Sequence, residues 1–433
     1  MLSIIVKRSH LKKRFALVDY LKVKWYHIYD NNFGFNGGKM FNKKMHTLGS
    51  NRSVIRELFE YGKKLAEVKG AENVFDFSLG NPNVPAPESV RTALSELISF
   101  PDSTVIHGYT SAQGDATVRK TIADYINERF DVNVSPDLIY MTVGAAASLT
   151  ITLSALNEDN DEFIVFAPFF PEYKVFIENA GGIPIVISSG KNMSLNLEEL
   201  ETKITPKTKG VIINSPNNPS GVVYSEEQIR KLSEILGSKS SEYGTHIFLI
   251  SDEPYREIVF DGLTVPYLMN YYDDTVVCYS YSKSLSLPGE RIGYIAVSPK
   301  CYERTDLYYA ICGAGRSLGY VCAPSLFQRV VSKCIRETGD INAYKENRDV
   351  LYSALSEYGF ECIRPQGAFY LFVKSPDKSA FDFSEKAKKL GLLLVPSDSF
   401  GVDGYVRISY CVSLDMIKRS LPVFKTLAEE YFK

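Results

Sequence analysis

Lys283 is the side chain whose surroundings in the sequence point most directly to covalent chemistry. It ends the segment SYSK (residues 280–283), which follows the apolar run at residues 276–279, and Arg291 comes eight positions later. A lysine beside cationic groups in a desolvated pocket has a lowered pKa, and its unprotonated amine can attack a carbonyl. Arg291 can grip a phosphate with a pair of hydrogen bonds, and Ser280 can donate another. The alternative interpretation is a solvated surface lysine.

Three further polar segments follow apolar runs in the same way. They are residues 144–148 (GAAAS), 214–221 (NSPNNPSG) and 251–255 (SDEPY). In open α/β sheets, ligands bind in the crevice outside the carboxyl ends of the strands. Any one of these segments alone could be an ordinary polar loop. Taken in order with residues 280–283, they predict one shared site.

Seven short apolar runs alternate with helical patterns and predict the elements that position these segments. The runs lie at residues 138–143, 163–166, 183–187, 211–213, 247–250, 276–279 and 294–297. Such alternation is typical of an α/β fold with a largely parallel sheet that is covered on both faces. Ahead of the runs, Val54, Ile55 and Leu58 have helical spacing, and Asn51 or Ser53 can cap the predicted amphipathic helix.

The pattern changes after about residue 330. A polar helix is predicted at residues 344–358, and shorter apolar runs follow at residues 369–373, 392–395 and 405–408. This part indicates a smaller α+β domain. Because no flexible linker separates it from the preceding sequence, we predict one continuous helix across residues 330–350.

Taken together, residues 50–433 resemble the class I/II aminotransferases of the fold-type-I enzymes that depend on pyridoxal 5'-phosphate (PLP). The most specific match is SYSKSLSLPGERIG, residues 280–293. The resemblance implies a large domain with a mostly parallel seven-stranded sheet and a smaller α+β domain. It implies that Lys283 holds PLP as a Schiff base. It also implies a division of the chain into an N-terminal arm with part of the small domain (46–87), a large PLP-binding domain (88–330) and a small C-terminal domain (331–433).

Several residues match the family's cofactor-binding positions. Asp252 resembles the acid that pairs with the protonated ring nitrogen, and a buried acid does require a partner. That proton makes the ring an electron sink. Tyr255 and Asn218 resemble the residues that bond the ring 3'-oxygen, although the usual threonine of the asparagine motif is Ser220 here. The alternative for residues 252–255 is a simple strand-to-loop turn.

The resemblance also implies a phosphate site and a ring-stacking residue. The phosphate positions are Gly144, Ala145, Ala146, Ser280 and Arg291. Small residues let backbone N–H groups at a helix N-terminus approach an anion, although they also serve ordinary packing. Phe170 matches the aromatic ring that stacks on the pyridine. A core phenylalanine is the alternative interpretation for Phe170.

The substrate positions are further apart in the sequence. Arg407 lies in an otherwise apolar run, where an unpaired guanidinium is costly. The resemblance implies that Arg407 clamps the substrate α-carboxylate and that Gly80 lies against the same group, with Asn218 also at the substrate; a structural salt bridge is the alternative. Tyr109 matches a tyrosine that reaches the neighbouring subunit's cofactor, which implies a homodimer. Arg316 lies near a second substrate arginine of some relatives, in an uncertain register, so specificity for dicarboxylates stays open.

Composition limits the remaining possibilities. The 433 residues have a formal net charge of -2, which gives no attraction to nucleic acid or to an anionic membrane. No apolar run reaches the roughly 20 residues of a membrane span. Seven scattered cysteines without a CxxC pair, and the lack of a metal-binding histidine motif, indicate neither disulfides nor a metal site, so we expect a cytoplasmic protein. Residues 1–45 are basic, and we expect either a disordered leader or a mis-assigned translation start.

The activity predicted from the sequence is a PLP-dependent transamination between an L-amino acid and a 2-oxo acid by a ping-pong mechanism. A carbon–sulfur lyase or a decarboxylase on the same fold is an alternative, because the cofactor supports several outcomes. An effector-sensing regulator is a further alternative, but the basic leader is too short for a winged-helix domain. A nicotinamide enzyme is disfavoured because the glycine-rich stretch at residues 313–319 has the wrong spacing. A GxSxG hydrolase is disfavoured because no histidine follows that stretch.

Overall fold

The computed structural model describes residues 41–50 and 54–432. The chain divides into two units, Met1–Ser53 and Val54–Lys433. In the first unit, a short exposed helix is capped by Asn42, whose side chain accepts from the backbone N–H of Lys44 at 2.9 Å. Residues 1–40 of the predicted leader and the predicted cap positions 51 and 53 lie outside the described residues.

The described residues contain fifteen α-helices and thirteen strands. The helices are α1 (Lys43–Ser50), α2 (Val54–Lys69), α3 (Glu88–Ile98), α4 (Ser103–His107), α5 (Ala116–Phe130), α6 (Ala145–Leu156), α7 (Glu172–Asn179), α8 (Leu197–Lys203), α9 (Glu226–Tyr243), α10 (Tyr281–Ser284), α11 (Arg304–Ser317), α12 (Ser325–Lys333), α13 (Ile341–Glu357), α14 (Ala380–Lys389) and α15 (Leu414–Glu429). The strands are β1 (Phe75–Asp76), β2 (Ile139–Thr142), β3 (Glu162–Phe166), β4 (Ile183–Ile187), β5 (Thr208–Asn214), β6 (Phe248–Glu253), β7 (Thr275–Ser280), β8 (Gly293–Val297), β9 (Cys362–Ile363), β10 (Tyr370–Lys374), β11 (Leu392–Leu393), β12 (Val395–Pro396) and β13 (Tyr405–Ser409).

A seven-stranded sheet forms the centre of the second unit. Its strand order is β2-β8-β7-β6-β5-β3-β4. The strands from β7 to β4 are parallel, and β8 runs antiparallel to both of its neighbours. Each of the seven apolar runs became one of these strands. The central strands are buried on both faces, which is why their sequences are continuously apolar rather than alternating. The predicted α/β fold with a mostly parallel seven-stranded sheet is confirmed.

A second, smaller group of strands lies in the C-terminal part. A four-stranded antiparallel sheet has the order β12-β13-β10-β9, and β1 pairs in parallel with β11. The predicted run at residues 392–395 is divided, because Leu392 and Leu393 pair with β1 whereas Val395 pairs with Arg407. A separate apolar cluster, which includes Phe77, fills the space around these strands. The domain boundaries at residues 87/88 and 330/331 stay predictions.

The predicted continuous helix across residues 330–350 is wrong. Helix α12 ends at Lys333 and α13 begins at Ile341. The Asp340 carboxylate accepts from the backbone N–H groups of the next helix and so starts it afresh. Just before it, the backbone N–H of Gly339 donates to Ser284 O at 2.7 Å. The break therefore brings the chain back to the short helix that carries Lys283.

Candidate active site

Lys283 lies at the carboxyl end of the central strand β7. It is on the one-turn helix α10 that follows Ser280 directly, and its Nζ donates to Gly80 O at 2.6 Å. The pKa of the Lys283 amine is lowered to about 8, mainly by burial; Cys411 opposes this shift, and the nearby Arg291 and Arg407 add to it. Burial is therefore a larger cause of the lowered pKa than the neighbouring cations. About a tenth of this amine is unprotonated at pH 7, far more than for a lysine with an ordinary pKa.

The predicted residues are brought together around one cavity of about 170 Å³. Its lining contains nine of them: Ala145, Ala146, Phe170, Asn218, Asp252, Tyr255, Ser280, Lys283 and Arg291. Seven of these residues lie at or just after the carboxyl ends of the parallel strands β5, β6 and β7 or at the start of α6, where ligands bind in open α/β sheets. Phe170 follows β3, and Arg291 comes just before β8.

An anion cradle lies at one side of the cavity. Gly144 caps the N-terminus of α6 with φ 94°, a conformation that favours glycine. A Cβ on Gly144 would lie 2.8 Å from Arg291 Nη2, so the glycine also allows the guanidinium to approach the helix N-terminus. Arg291 Nη1 donates to Ser282 Oγ at 3.4 Å and to Pro288 O at 2.9 Å. Ser280 Oγ donates to Ser282 Oγ at 2.8 Å. Hydroxyls, a guanidinium and free helix N–H groups suit a phosphate.

Asp252 provides a buried carboxyl in the same cavity. It is the next-to-last residue of β6, is 5% exposed, and receives a hydrogen bond from the Tyr173 hydroxyl at Oδ2. Its Oδ1 is buried without any partner among the described residues. Burial raises the pKa of Asp252 to about 7, although the bond from Tyr173 lowers it. A protonated ring nitrogen at Oδ1 would supply the missing donor and a compensating charge.

The neighbouring acid, Glu253, has a different role. Its carboxylate pairs with the buried guanidinium of Arg256 at 2.5 Å and accepts from Ser251 Oγ at 2.7 Å. Arg256 also contacts Glu257 at 3.2 Å. Since this acid is fully paired, only Asp252 of the two adjacent acids has a free oxygen for a ligand.

Tyr255 and Asn218 also line the cavity. The Asn218 backbone N–H donates to Asn214 Oδ1 at 2.8 Å, and Asn214 Nδ2 donates to Asp252 O at 2.9 Å. These bonds tie the two ligand-binding loops together. The hydroxyl of Tyr255 lies 2.8 Å from the hydroxyl of Tyr370.

Arg407 is a buried cation on β13, 2% exposed. Its Nη1 donates to Asn218 Oδ1 at 3.1 Å and its Nη2 to Ser78 O at 2.6 Å. Across the described residues its Nε is buried without a partner, and its hydrogen bonds go to an amide oxygen and a backbone carbonyl rather than to a carboxylate. Burial lowers its pKa. A structural salt bridge was the alternative explanation, and the described contacts supply none, so the guanidinium is available for a ligand carboxylate.

Phe170, Tyr109 and Arg316 complete the predicted set. Phe170 lines the cavity and packs edge-on against Tyr173 with centroids 5.7 Å apart. Tyr109 is 98% exposed and is not among the residues that line the cavity of its own chain. Arg316 is exposed near the end of α11. Residues 313–317 of the glycine-rich stretch are therefore the last turn of a helix rather than a nucleotide-binding turn or a nucleophile turn.

Three residues at this site were not predicted from the sequence. Tyr173 was not singled out at all, whereas Ser282 appeared only as part of the lysine motif and Tyr370 only as part of a strand. The signal available for Tyr370 was a hydroxyl within a buried apolar run.

Neither a metal-binding group of acids, histidines and cysteines nor a helix able to cross a membrane occurs within residues 41–50 and 54–432.

The comparisons with known proteins agree with this geometry. The family described as aminotransferase class I and II matches residues 72–423. A probable aspartate aminotransferase of Methanocaldococcus jannaschii is 30% identical over 390 residues, covering 87% of this chain and 97% of the relative. An aromatic-amino-acid aminotransferase of Thermococcus litoralis is 27% identical, covering 88% and 96%.

Solved structures give the same result. An aminotransferase of Eubacterium rectale is 55% identical, with a TM-score of 0.90, and covers 92% of this chain and 100% of its own. An aspartate aminotransferase of Thermotoga maritima is 29% identical, with a TM-score of 0.78, and covers 88% and 98%. The chain belongs to the class I and II aminotransferases. It is a transaminase of the fold-type-I architecture, and the comparisons favour none of the alternatives weighed from the sequence.

Proposed function

We propose that Lys283 binds pyridoxal 5'-phosphate and that the enzyme uses it to move an amino group between an L-amino acid and a 2-oxo acid in two half-reactions. The observation that carries the proposal is the partnerless Oδ1 of Asp252 in the same cavity as the Lys283 amine. A covalent carbonyl ligand that carries a protonated nitrogen at its far end matches both groups. When bound, PLP supplies an electron sink for the negative charge that forms at the substrate α-carbon.

The chain's residues hold the two ends of the cofactor. Asp252 keeps the proton on the ring nitrogen, while Tyr255 and Asn218 bond the ring oxygen. Phe170 covers the ring face. The phosphate is bound by Ser280, Arg291 and the start of α6 at Gly144, Ala145 and Ala146. This arrangement is supported by the cavity lining and by the close approach of Arg291 to Gly144.

Lys283 would also serve as the acid–base group of the site. Its amine would take the proton from the substrate α-carbon and return it, for which a pKa near the working pH is suited. Arg407 holds the substrate α-carboxylate through its guanidinium. Gly80, whose carbonyl accepts from Lys283 Nζ, is proposed to lie against the same carboxylate. Since the carboxylate is common to all amino acids, Arg407 alone does not select the donor.

The donor classes named for the relatives are aspartate and aromatic amino acids. Both are candidates for this enzyme, and Arg316 is a candidate for a side-chain carboxylate. We propose a homodimer in which Tyr109 reaches the partner's cofactor, an arrangement that its 98% exposure permits. The seven free cysteines agree with a cytoplasmic location.

A half-reaction screen tests the proposed function. Purified PLP-loaded protein is mixed with each standard amino acid in turn, and the visible absorbance of the cofactor is followed. We expect the absorbance to be lost with the true donor and restored by a 2-oxo acid. An enzyme that consumes amino acids without a requirement for a 2-oxo acid would contradict transamination and favour a lyase or a decarboxylase.

A further inference from the structure

Tyr370 connects three parts of the proposed site. It is the first residue of β10 and is 3% exposed. Its hydroxyl lies 2.8 Å from the Tyr255 hydroxyl. The guanidinium carbon of Arg407 lies 4.7 Å from the centroid of its ring. A Cβ on Gly80 would collide with the Tyr370 hydroxyl, so the loop that accepts from Lys283 packs directly against it.

We propose that Tyr370 is a positioning residue that couples the carboxylate-binding Arg407 to the cofactor-binding Tyr255. The inference rests on the function proposed above. The hydroxyl of Tyr370 orients and polarises the hydroxyl of Tyr255, while its ring supports the guanidinium of Arg407. One side chain thus connects substrate binding with the electronic state of the cofactor.

The hydrogen-bond inventory determines the direction of the contact. A phenol hydroxyl has one proton to donate and two lone pairs that accept. With PLP bound, Tyr255 donates its proton to the ring oxygen, so it can only accept from Tyr370. Tyr255 is the one hydrogen-bond partner of the Tyr370 hydroxyl across the described residues. A hydroxyl that accepts a hydrogen bond becomes a stronger donor.

Arg407 affects the hydrogen bond between Tyr370 and Tyr255 through the ring of Tyr370. A cation over an aromatic ring is attracted by the ring's negative face, and the guanidinium lowers the pKa of Tyr370 against the larger effect of burial, which raises it to about 12. Arg407 therefore makes the Tyr370 hydroxyl a stronger donor. A substrate carboxylate that neutralises Arg407 weakens this effect, and the hydrogen bond that Tyr255 gives to the ring oxygen weakens with it.

The test uses the PLP-loaded enzyme and the variant Y370F, which keeps the ring and removes only the hydroxyl. We expect kcat to fall roughly 5- to 10-fold, as for loss of one hydrogen bond, with KM for the amino acid within about twofold because the ring still supports Arg407. The acid–base midpoint of the cofactor's visible absorbance should shift upward. A weaker donor from Tyr255 leaves more negative charge on the ring oxygen, which then holds a proton more firmly.

A double-mutant cycle separates coupling from a general disturbance. In the Y255F background, Y370F should shift the midpoint no further, because the hydroxyl through which it acts is gone. Tyr410 provides the matched control, since it is buried in the same cluster and its hydroxyl donates to Ala368 O at 3.3 Å, away from Tyr255. Y410F should leave the midpoint unchanged. Should Y370F fail to fold, Tyr370→Leu, which also lacks the hydroxyl, replaces it and should shift the midpoint in the same direction.

The outcomes distinguish this inference from the proposed function. If the wild-type enzyme binds no PLP at Lys283, the proposed function fails. If the wild type transaminates and Y255F shifts the midpoint, but Y370F matches Y410F or adds independently to Y255F, Tyr370 is only a packing residue and the coupling is contradicted.

Discussion

The Tyr173 hydroxyl donates to one oxygen of Asp252, while the other oxygen of the same buried carboxyl has no partner in the part of the chain that the structure describes. The contact fixes the orientation of the carboxyl. It also lowers a pKa that burial raises to about 7. The carboxyl is therefore oriented toward a cationic group that residues 41–50 and 54–432 do not supply.

Removing that hydroxyl should weaken cofactor binding. In Y173F the pKa of Asp252 should rise further, so more of the carboxyl is protonated and uncharged at pH 7. We expect the Kd for PLP to increase about tenfold, which corresponds to loss of a hydrogen bond to a charged group. Titration of the apo-enzyme with PLP measures it. The control is Y308F, whose hydroxyl bonds Ile139 O at 3.0 Å at another part of the sheet. An unchanged Kd in Y173F would show that Tyr173 does not support Asp252.

The apo-enzyme should be destabilised by its own Lys283 at neutral pH. The pKa of the amine falls from 10.5 to about 8 on folding, so the unfolded chain binds more protons between these values and stability rises with pH through that window. The variant K283M should be about 3 kcal/mol more stable than the wild-type apo-enzyme at pH 7. This advantage should disappear as the pH approaches 10.5. Urea unfolding of both proteins across the range gives the difference, and a gap that does not depend on pH would contradict the lowered pKa.

Gly144 should be needed for binding the phosphate of the cofactor but not for binding its ring. In G144A the new Cβ meets the Arg291 guanidinium at 2.8 Å and strains a backbone with φ 94°. We expect the affinity for PLP to fall about tenfold or more, because backbone strain and displacement of the Arg291 guanidinium together cost about 1–3 kcal/mol. Binding of pyridoxal, which lacks the phosphate, should change little. Gly237 is the control, because a Cβ there meets nothing within 4 Å. Equal losses for PLP and pyridoxal would place the defect elsewhere.

Arg407 should be needed for the two parallel hydrogen bonds of its guanidinium as well as for its charge. We expect R407A to lower kcat/KM for the amino acid about 100- to 1000-fold, and R407K to remain substantially impaired, because a lysine cannot hold a carboxylate through two parallel bonds. Steady-state kinetics measures both. R419A, which changes an arginine paired with Asp415 on the exposed side of α15, is the control. Full activity of R407K would show that only a positive charge is required.

Tyr109 should act in the partner's site. Each of the variants K283A and Y109F should be impaired alone. Mixed dimers contain one site that has both Lys283 and Tyr109, so activity should partly return on mixing. A mixture no more active than the average of its parents would contradict the shared site.

The fold was predictable because its central strands are buried on both faces. The runs at residues 247–250 and 276–279 are continuously apolar, and each is followed at once by the polar segment that carries Asp252 or Lys283. Because ligands bind outside the carboxyl ends of the strands in an open α/β sheet, these segments could be placed at one site without knowing the loop conformations. The helix break near residue 340 was missed because the local signal, an Asp340 cap, was weaker than the helical pattern on either side.

Long-range contacts were not predictable in the same way. The bond between Lys283 and Gly80 and the approach of Tyr370 to Arg407 join segments far apart in the sequence. Periodicity reports which face of an element is buried, but it does not report which hydroxyl meets which partner. Tyr173 and Tyr370 could therefore be recognised only once the strands and loops had been placed.

Reduction with borohydride is the most direct test of the central claim, which is that Lys283 carries the cofactor. The purified enzyme is loaded with PLP, reduced, digested and mapped by mass spectrometry, with K283A treated in parallel. The account predicts a single pyridoxyl-phosphate adduct on Lys283 and none at a corresponding level in K283A. An adduct at another lysine, or no adduct in an enzyme that transaminates, would contradict it.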